Sequence, residues 1–186
     1  MSAGAGFQII SSRLLTETPF LRLEELDLET PGGDIGKRTV IRIGGAVSVV
    51  PVVDDDVVLI RQYRTPVDKP LLELPAGKLD IPGEDPRAAA ARELEEEAGF
   101  VAETLEQVAD FFTSPGFLDE RMTVYIATGL TPVEAQPMGP EEVAAEVVRV
   151  PIAEIPAMLP QIEDAKTLIG LMALLLSREA ADRPHD

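Results

Sequence analysis

Four glutamates crowd a short stretch of the sequence, at positions 93, 95, 96 and 97. On an α-helix, Glu93 and Glu97 lie one turn apart on the same face, with Glu96 beside them. Because like charges at these spacings destabilise a helix, either a bound cation or full solvation must offset their repulsion. Arg92 can pair with Glu96 at the i+4 position and orient it. A run of acids alone favours an exposed acidic face, and a site for a hard divalent cation is the other interpretation.

The helix that would carry these acids has well-marked ends. Asp85 is a favourable N-cap, and Pro86 fits the first helical position, where its missing N–H costs nothing. Gly99 is a natural stop. The sequence therefore predicts a helix over about Pro86–Ala98. Small apolar residues would let this helix pack closely on a sheet; they are Ala90, Leu94 and Ala98.

Most of the remaining chain is predicted as strand. Alternating residues between Phe7 and Ile43, interrupted by turn residues at 31–34, predict a group of N-terminal strands. Two apolar strands joined by a tight acidic turn at residues 54–56 follow. Further strands are predicted near residues 105–112, 122–127 and 143–150. A short apolar piece at residues 71–74 is either helix or strand and ends before Pro75.

A second helix is predicted near the end of the chain, over about residues 164–181. We expect its apolar residues at helical spacing to face the core; they are Ala165, Leu168, Ile169, Met172, Leu175 and Leu176. Since strands dominate and only two long helices are predicted, the pattern favours an α/β fold in which helices cover a sheet.

Composition excludes several classes of site and partner. The chain of 186 residues has no cysteine, which rules out disulfides and thiolate metal sites. Its one histidine, His185, argues against a histidine-based triad. The formal net charge of −17 disfavours binding to nucleic acid polymers or anionic membranes. Since neither a secretory signal nor a membrane-spanning run is visible, we expect a soluble cytoplasmic protein.

Residues 77–100 resemble a Nudix box. The elements of the resemblance are Gly77, then Glu84 after six residues, then, after seven more, Arg92-Glu93-Leu94-x-Glu96-Glu97-x-Gly99-Phe100. The commonest form of the box has five residues between its glycine and its first glutamate. The extra residue here falls in the loop before the helix and leaves the helical acids in register.

Similarity outside the box narrows the resemblance to the ADP-ribose pyrophosphatase group. The similar segments are residues 61–64, 73–77, 114–117 with Glu120, and 164–171. A proline at a set distance after the box, here Pro115, is typical of the group. The resemblance covers residues 47–176 and implies a Nudix-type α/β/α sandwich with a mixed sheet, preceded by a small antiparallel β domain. Residues 1–43 would then form a dimerisation domain and residues 44–186 the hydrolase domain of a homodimer.

The resemblance also implies a magnesium-dependent reaction at a diphosphate, with Mn²⁺ as a possible substitute. The implied metal ligands are Glu93, Glu97 and the backbone carbonyl of Ala76, with Glu96 assisting in catalysis. An oxygen-only ligand set suits a hard cation and agrees with the lack of usable histidine and cysteine. A general base is expected from the loop at 138–142, with Glu142 favoured over Glu141. For either glutamate taken singly, an exposed acidic turn is the alternative.

Substrate recognition is expected from basic, acidic and aromatic side chains. Arg61 and Arg64 could clamp a phosphate or stack on adenine, and a structural ion pair is the equal alternative. Glu73 and Glu120 could accept hydrogen bonds from ribose hydroxyls. Phe117 could lie against a base, although a position in the core is more typical of phenylalanine.

These residues lead to a hypothesis about the reaction. The leading one is hydrolysis of ADP-ribose to AMP and ribose 5-phosphate. Within the same chemistry the alternative substrate is another nucleoside diphosphate sugar, such as ADP-glucose, GDP-mannose or UDP-glucose. A non-catalytic Nudix module that binds a nucleotide or a protein partner is expected to have lost the acids of the box, and they are retained here. A calcium-buffering or scaffold protein explains the acids but gives no reason for Gly77 or Pro115.

Overall fold

A computed structural model describes residues 6–181 of the chain. These residues fall into two compact units. The first comprises residues 6–44 with 112–121, and the second comprises residues 45–111 with 122–181. A three-stranded antiparallel sheet and a larger sheet with helices confirm the predicted fold class. His185 lies outside the described residues.

The structure contains ten strands and four α-helices in residues 6–181. The strands are β1 (Gln8–Glu17), β2 (Arg22–Glu29), β3 (Ile35–Arg42), β4 (Gly45–Val53), β5 (Asp56–Arg64), β6 (Lys69–Glu73), β7 (Ala76–Lys78), β8 (Phe100–Phe112), β9 (Arg121–Pro132) and β10 (Glu146–Pro151). The helices are α1 (Pro86–Ala98), α2 (Pro140–Val143), α3 (Ile155–Met158) and α4 (Ala165–Ala181). Single 3₁₀ turns occupy Thr65–Val67, Ile152–Glu154 and Leu159–Gln161.

In the first unit, β1, β2 and β3 form an antiparallel meander. Segment 112–121 joins this unit through main-chain and side-chain bonds. The N–H of Ile41 donates to the carbonyl of Phe117 at 2.7 Å, and Arg42 Nη1 pairs with Asp119 Oδ2 at 3.3 Å. The chain therefore returns to this unit after leaving it at Gly44.

The sheet of the second unit has the strand order β10-β5-β4-β9-β8. β4 and β5 pair next to their shared turn, where Val52 lies opposite Val57. Farther from the turn, β5 pairs with β6 and β4 pairs with β7. Antiparallel pairing places Glu73 opposite Ile60 on β5, and Ala76 opposite Ser48 on β4. The β6–β7 segment thus brings residues 73–78 into the sheet.

Two helices cover opposite faces of this sheet. Because side chains alternate along a strand, Val47 and Val49 of β4 pack with α1, whereas Val50 packs with α4. On α1 the small residues Ala89 and Ala90 are fully buried. This alternation makes the second unit the α/β/α sandwich that the resemblance implies.

Helix α1 has the predicted bounds. Its N-cap residue, Asp85, accepts a hydrogen bond from the Arg87 N–H at 2.8 Å, and Gly99 ends it in the left-handed conformation with φ +71°. The predicted strand at 143–150 is wrong at its start, since Val143 ends helix α2 and β10 begins at Glu146. Pro140 at the first helical position favours that short helix.

The predicted core face of α4 is confirmed at Leu175, which packs on the core, but is wrong at Ala165, Met172 and Leu176, which are exposed. Met172 is 47% exposed and Leu176 is 63% exposed, whereas the buried residues are Lys166, Thr167, Gly170, Leu171 and Leu174. The face was obscured because two of its members are polar and one is glycine. A Cβ on Gly170 would lie 2.5 Å from Leu74 Cδ1, so the glycine permits close packing of the helix on the sheet.

Helix length and hydropathy bear on membrane insertion. Within residues 6–181, no helix combines the length and apolar character that crossing a membrane requires.

Candidate active site

Helix α1 presents two glutamates beside the strand segment that precedes it. Leu94 is fully buried and fixes the apolar face of the helix against the sheet. Glu93 is 8% exposed, and Glu97 is partly buried one turn later. The carboxylates therefore lie at the edge of the hydrophobic core rather than on an open acidic surface.

Strand β7 contacts both carboxylates. The N–H of Ala76 donates a hydrogen bond to Glu97 Oε2 at 2.8 Å. A Cβ added to Gly77 would lie 2.0 Å from both Cδ and Oε1 of Glu93, so a larger residue there would force the end of the Glu93 side chain to move. The glycine is thus required to leave space for the Glu93 carboxylate. Gly77 and Glu93 of α1, although separated in sequence, are therefore in direct contact in the structure.

Arg92 links three of the acids. Its Nε and Nη2 donate to the two oxygens of Glu84, at 3.1 and 3.2 Å. Its Nη1 donates to Glu93 Oε1 at 2.7 Å and to Glu96 Oε2 at 3.1 Å. The predicted pair between Arg92 and Glu96 is confirmed. Hydrogen bonding to Glu84 is the largest of the effects that raise the pKa of Arg92 above its ordinary value.

The electrostatics of Glu93 and Glu97 are unfavourable for two ionised carboxylates. Burial raises the pKa of Glu97 to about 8; the Ala76 N–H opposes this rise, and the charges of Glu93 and Glu142 add to it. Burial also raises the pKa of Glu93, although Arg92 lowers it. These carboxylates therefore lack sufficient positive charge around them.

Helix α2 supplies the third carboxylate. Glu142 is partly buried, and its Oε2 accepts a hydrogen bond from the Met138 N–H at 2.6 Å. It shares a small cavity with Glu97, whereas Glu141 is exposed. This placement favours Glu142 over Glu141 near the α1 acids, and the role of either as a general base stays a prediction.

Gln62 on β5 also lines that cavity and was missed in the sequence. Its side chain is 4% exposed, and its Oε1 is buried without a hydrogen-bond partner in the part of the chain that the structure describes. The signal was a polar residue in the middle of a buried strand, on the face that also carries Ile60. Gln62 Oε1, Glu97 and Glu142 together present acceptors that need a donor or a cation.

The residues fit a hard divalent cation by chemistry. The acceptor-rich cavity, the space left by Gly77 and the raised pKa values of Glu93 and Glu97 all indicate missing positive charge. In residues 6–181, no three acidic or histidine side chains already stand together as a metal cluster. Glu93 and Glu97 would therefore have to exchange their bonds to Arg92 and Ala76 for bonds to the ion.

A second group of charges lies at β6 and is fully paired. Glu73 is 0% exposed, and its two oxygens accept hydrogen bonds from Nε and Nη2 of Arg64, each at 2.7 Å. Lys166 of α4 also contacts Glu73. Although burial raises it, the bonds from Arg64 and the charge of Lys166 hold the pKa of Glu73 below its ordinary value.

These contacts bear on the predicted substrate-binding residues. Glu73 could bind a ribose hydroxyl only by exchanging its present bonds, so that role stays a prediction. Arg61 is on the opposite face of β5 from Gln62 and pairs with the exposed Glu146 at 3.5 Å. The ion pairs that we weighed as the alternative for Arg61 and Arg64 are therefore both present.

Two further predicted residues belong to the first unit. Glu120 Oε2 accepts a hydrogen bond from the Thr113 hydroxyl at 2.7 Å. Phe117 is 53% exposed, so the core position weighed for it is wrong, and it lines a cavity of about 250 Å³ with Phe112 and Arg42. Their roles in binding a substrate stay predictions.

Comparison with known proteins decides the family. The model of the NUDIX domain matches residues 42–169. The chain belongs to the Nudix family. This confirms the family indicated by residues 77–100 and establishes the chain as a Nudix hydrolase.

Several relatives are similar to this Nudix protein over most of its length. A protein named methanol dehydrogenase activator, from Bacillus methanolicus, is 38% identical, over 91% of this chain and 89% of its own. An ADP-ribose pyrophosphatase from Mycobacterium tuberculosis is 37% identical, over 97% and 89%. A crystal structure of an ADP compounds hydrolase superposes with a TM-score of 0.83 at 28% identity, covering 96% of this chain and 97% of that chain.

Proposed function

We propose that this Nudix hydrolase cleaves the diphosphate bond of ADP-ribose in a magnesium-dependent reaction, giving AMP and ribose 5-phosphate. The observation that carries the proposal is the partly buried Glu97 carboxylate, which shares a cavity with Glu142 and whose pKa is raised by burial and by the charges of Glu93 and Glu142. The related ADP-ribose pyrophosphatase and the ADP compounds hydrolase support hydrolysis of ADP-sugars. Beyond hydrolysis of ADP-sugars, the proposal specifies ADP-ribose as the substrate and Mg²⁺ as the metal.

Four residues would hold the cation. They are Glu93 and Glu97 through their carboxylates, Ala76 through its carbonyl, and Glu96 in an assisting role. When bound, Mg²⁺ masks the negative charge of a diphosphate and lowers the pKa of an attacking water. Mn²⁺ has the same preference for oxygen ligands and would substitute.

Glu142 is the proposed general base. A carboxylate in this role must reach the attacking water by a hydrogen bond and take its proton. Glu142 lies on a short helix, next to Glu97 in the shared cavity, and its present partner is a main-chain N–H. Glu141, exposed on the same helix, is the second candidate.

Substrate contacts would come from the two arginines of β5. Arg64 is the better candidate of the two for a phosphate, because its charge also acts on the pKa of Glu97. We infer that Glu120 and Phe117 contact the ribose and the base, respectively. We also infer that residues 1–43 form a homodimer interface. Apolar residues exposed on β1 support this inference; they are Ile9, Ile10, Leu14 and Leu15.

A second candidate function rests on one relative. The similarity to the methanol dehydrogenase activator, at 38% identity, supports action on a partner enzyme as this second candidate. The retained acids of the α1 helix favour hydrolysis, because binding a partner protein does not require buried carboxylates that repel one another.

A product assay tests the proposal. Purified protein is incubated with ADP-ribose and Mg²⁺, alongside ADP-glucose, GDP-mannose and UDP-glucose, with EDTA as the control. We expect AMP, identified by chromatography, to form fastest from ADP-ribose and not to form in EDTA. Faster turnover of another nucleotide sugar would identify that sugar, rather than ADP-ribose, as the preferred substrate. A folded protein that turns over none of the four would contradict the proposal.

A further inference from the structure

The start of helix α4 is fastened to the strand segment beside the active site. Asp164 Oδ2 accepts hydrogen bonds from the hydroxyl and N–H of Thr167, at 2.6 and 2.9 Å. The Thr167 hydroxyl in turn accepts the N–H of Leu74 at 2.8 Å, and both of these residues are fully buried. This arrangement places Lys166, on the same helical turn, against the end of β6.

Lys166 binds two carboxylates from that position. Its ammonium contacts Glu73 and lies 3.0 Å from Asp164 Oδ1. The residue is 9% exposed, which is rare for lysine. A lysine buried to this extent is usually required by the charge that it compensates.

Glu73, one of the carboxylates that Lys166 compensates, also binds Arg64. Glu73 engages Arg64 through Nε and Nη2, so the Nη1 edge of the guanidinium takes no part in this pair. The Arg64 side chain is 39% exposed. If Glu73 had no other partner, its charge would cancel that of Arg64. With Lys166 present, the two cations Arg64 and Lys166 balance the two carboxylates of Glu73 and Asp164; without Lys166, this group would carry one excess negative charge.

We propose that Lys166 is a positioning residue for substrate binding: by balancing one of the two carboxylates beside it, Glu73 and Asp164, it prevents an excess negative charge next to Arg64 and so favours binding of an anionic phosphate of the substrate to that arginine. This inference rests on the proposed function, because it takes a phosphate-bearing substrate as the ligand of Arg64. Glu73 orients the Arg64 guanidinium by its two hydrogen bonds, and the Lys166 ammonium offsets negative charge next to it. Asp164 and Thr167 hold Lys166 in place.

Kinetics of two lysine variants test the proposal. Lys166→Met keeps the length of the side chain and removes its charge, and Lys166→Arg restores the charge. Lys69→Met is the matched control, since Lys69 also pairs with a glutamate, Glu163, but on an exposed surface. We expect Lys166→Met to raise KM for ADP-ribose about tenfold, which corresponds to about 1.4 kcal/mol, with kcat nearly unchanged. Lys166→Arg and Lys69→Met should keep the native KM.

Direct binding separates this inference from the proposed function. Calorimetric titration with inorganic pyrophosphate in EDTA measures anion binding whether or not ADP-ribose is a substrate. We expect Lys166→Met to weaken pyrophosphate binding in the native background, and to have no further effect in an Arg64→Gln background. If the native protein does not hydrolyse ADP-ribose but these titrations behave as stated, the proposed function fails and the inference on Lys166 stands.

Two results would overturn the inference. One is a Lys166→Met protein that melts like the native one and binds pyrophosphate with native affinity. The other is an equal loss of binding in the Arg64→Gln background, because Lys166 would then act independently of Arg64. If Lys166→Met does not fold, the comparison is made with Lys166→Gln. A Lys166→Gln protein with unchanged binding counts against the proposal in the same way.

Discussion

Two groups of buried carboxylates in the second unit have opposite electrostatics. At the α1 face, burial raises the pKa of Glu97 to about 8, and Arg92, the basic partner of Glu93, is shared with Glu84 and Glu96. At β6, Glu73 is more deeply buried, yet its pKa is lowered because two basic side chains, Arg64 and Lys166, bind it. Both groups are buried, and they differ in how many basic side chains of the protein bind each carboxylate.

This difference indicates which group is structural and which is incomplete. The β6 group has its countercharges within the fold and joins β5, β6 and α4. The α1 group has too few countercharges of its own, and we propose that a bound metal ion supplies the missing one. The following predictions test the comparison from the largest expected effect to the smallest.

Glu97→Gln should lower turnover of ADP-ribose about a thousandfold, because it removes a charged ligand from the α1 group. The variant should fold normally, since the amide can still accept the Ala76 N–H. Initial rates of AMP formation at saturating Mg²⁺ measure the effect. Glu95→Gln, the same exchange on the same helix, is the control and should keep native activity.

Gly77→Ala should lower turnover about a hundredfold, because the added Cβ would displace the Glu93 carboxylate by an ångström or more. Rates under the same conditions measure it. Gly32→Ala is the matched control, since a Cβ there meets its nearest atoms at ordinary contact distances of 3.8 and 4.0 Å. Equal activity of the two variants would show that Glu93 need not occupy its present position.

Glu73→Gln should destabilise the protein by about 3 kcal/mol, because it leaves Arg64 without its counterion and leaves the buried Lys166 with Asp164 alone. Urea unfolding followed by circular dichroism measures the free energy of unfolding. Glu163→Gln removes the partner of Lys69 in an exposed pair and should cost no more than about 1 kcal/mol. A Glu73→Gln protein as stable as native would contradict the structural role of this group.

Stability of the metal-free protein should fall as pH rises from about 4.5 to about 8. In this range folded Glu97 holds a proton that the unfolded chain releases, so deprotonation favours unfolding. Glu97→Gln should remove much of this slope and melt a few degrees higher than native at about pH 8. Glu73 acts in the opposite sense: its lowered pKa stabilises the folded state above about pH 4.5, and this stability is lost as pH falls.

Calorimetric scans in EDTA measure both trends. Added Mg²⁺ should raise the melting temperature of the native protein more at about pH 8 than at about pH 5, because the ion competes with the Glu97 proton. A native protein whose metal-free stability does not change between these pH values would contradict the raised pKa of Glu97.

Local signals in the sequence predicted the helix and its acids well. Asp85, Pro86 and Gly99 fix the ends of α1 by chemistry that depends on neighbouring residues alone. The spacing of Glu93 and Glu97 likewise follows from the helical repeat. Neither inference needs knowledge of distant contacts, which is why both agree with the structure.

Features that depend on long-range contacts could not be read in the same way. Lys166 and Thr167 are buried because Glu73 and the Leu74 N–H, more than 90 positions away, need partners. Their polarity concealed the core face of α4. The unpartnered oxygen of Gln62 also becomes visible only when α1 and α2 enclose it.

The most direct measurement is Mn²⁺ binding to the native, Glu97→Gln and Glu73→Gln proteins, followed by electron paramagnetic resonance of the free ion. We predict that Glu97→Gln weakens binding at least about tenfold, while Glu73→Gln keeps the native affinity once its fold is verified. Native affinity in Glu97→Gln, or an equal loss in both variants, would contradict the conclusion that the α1 group is the one completed by a cation.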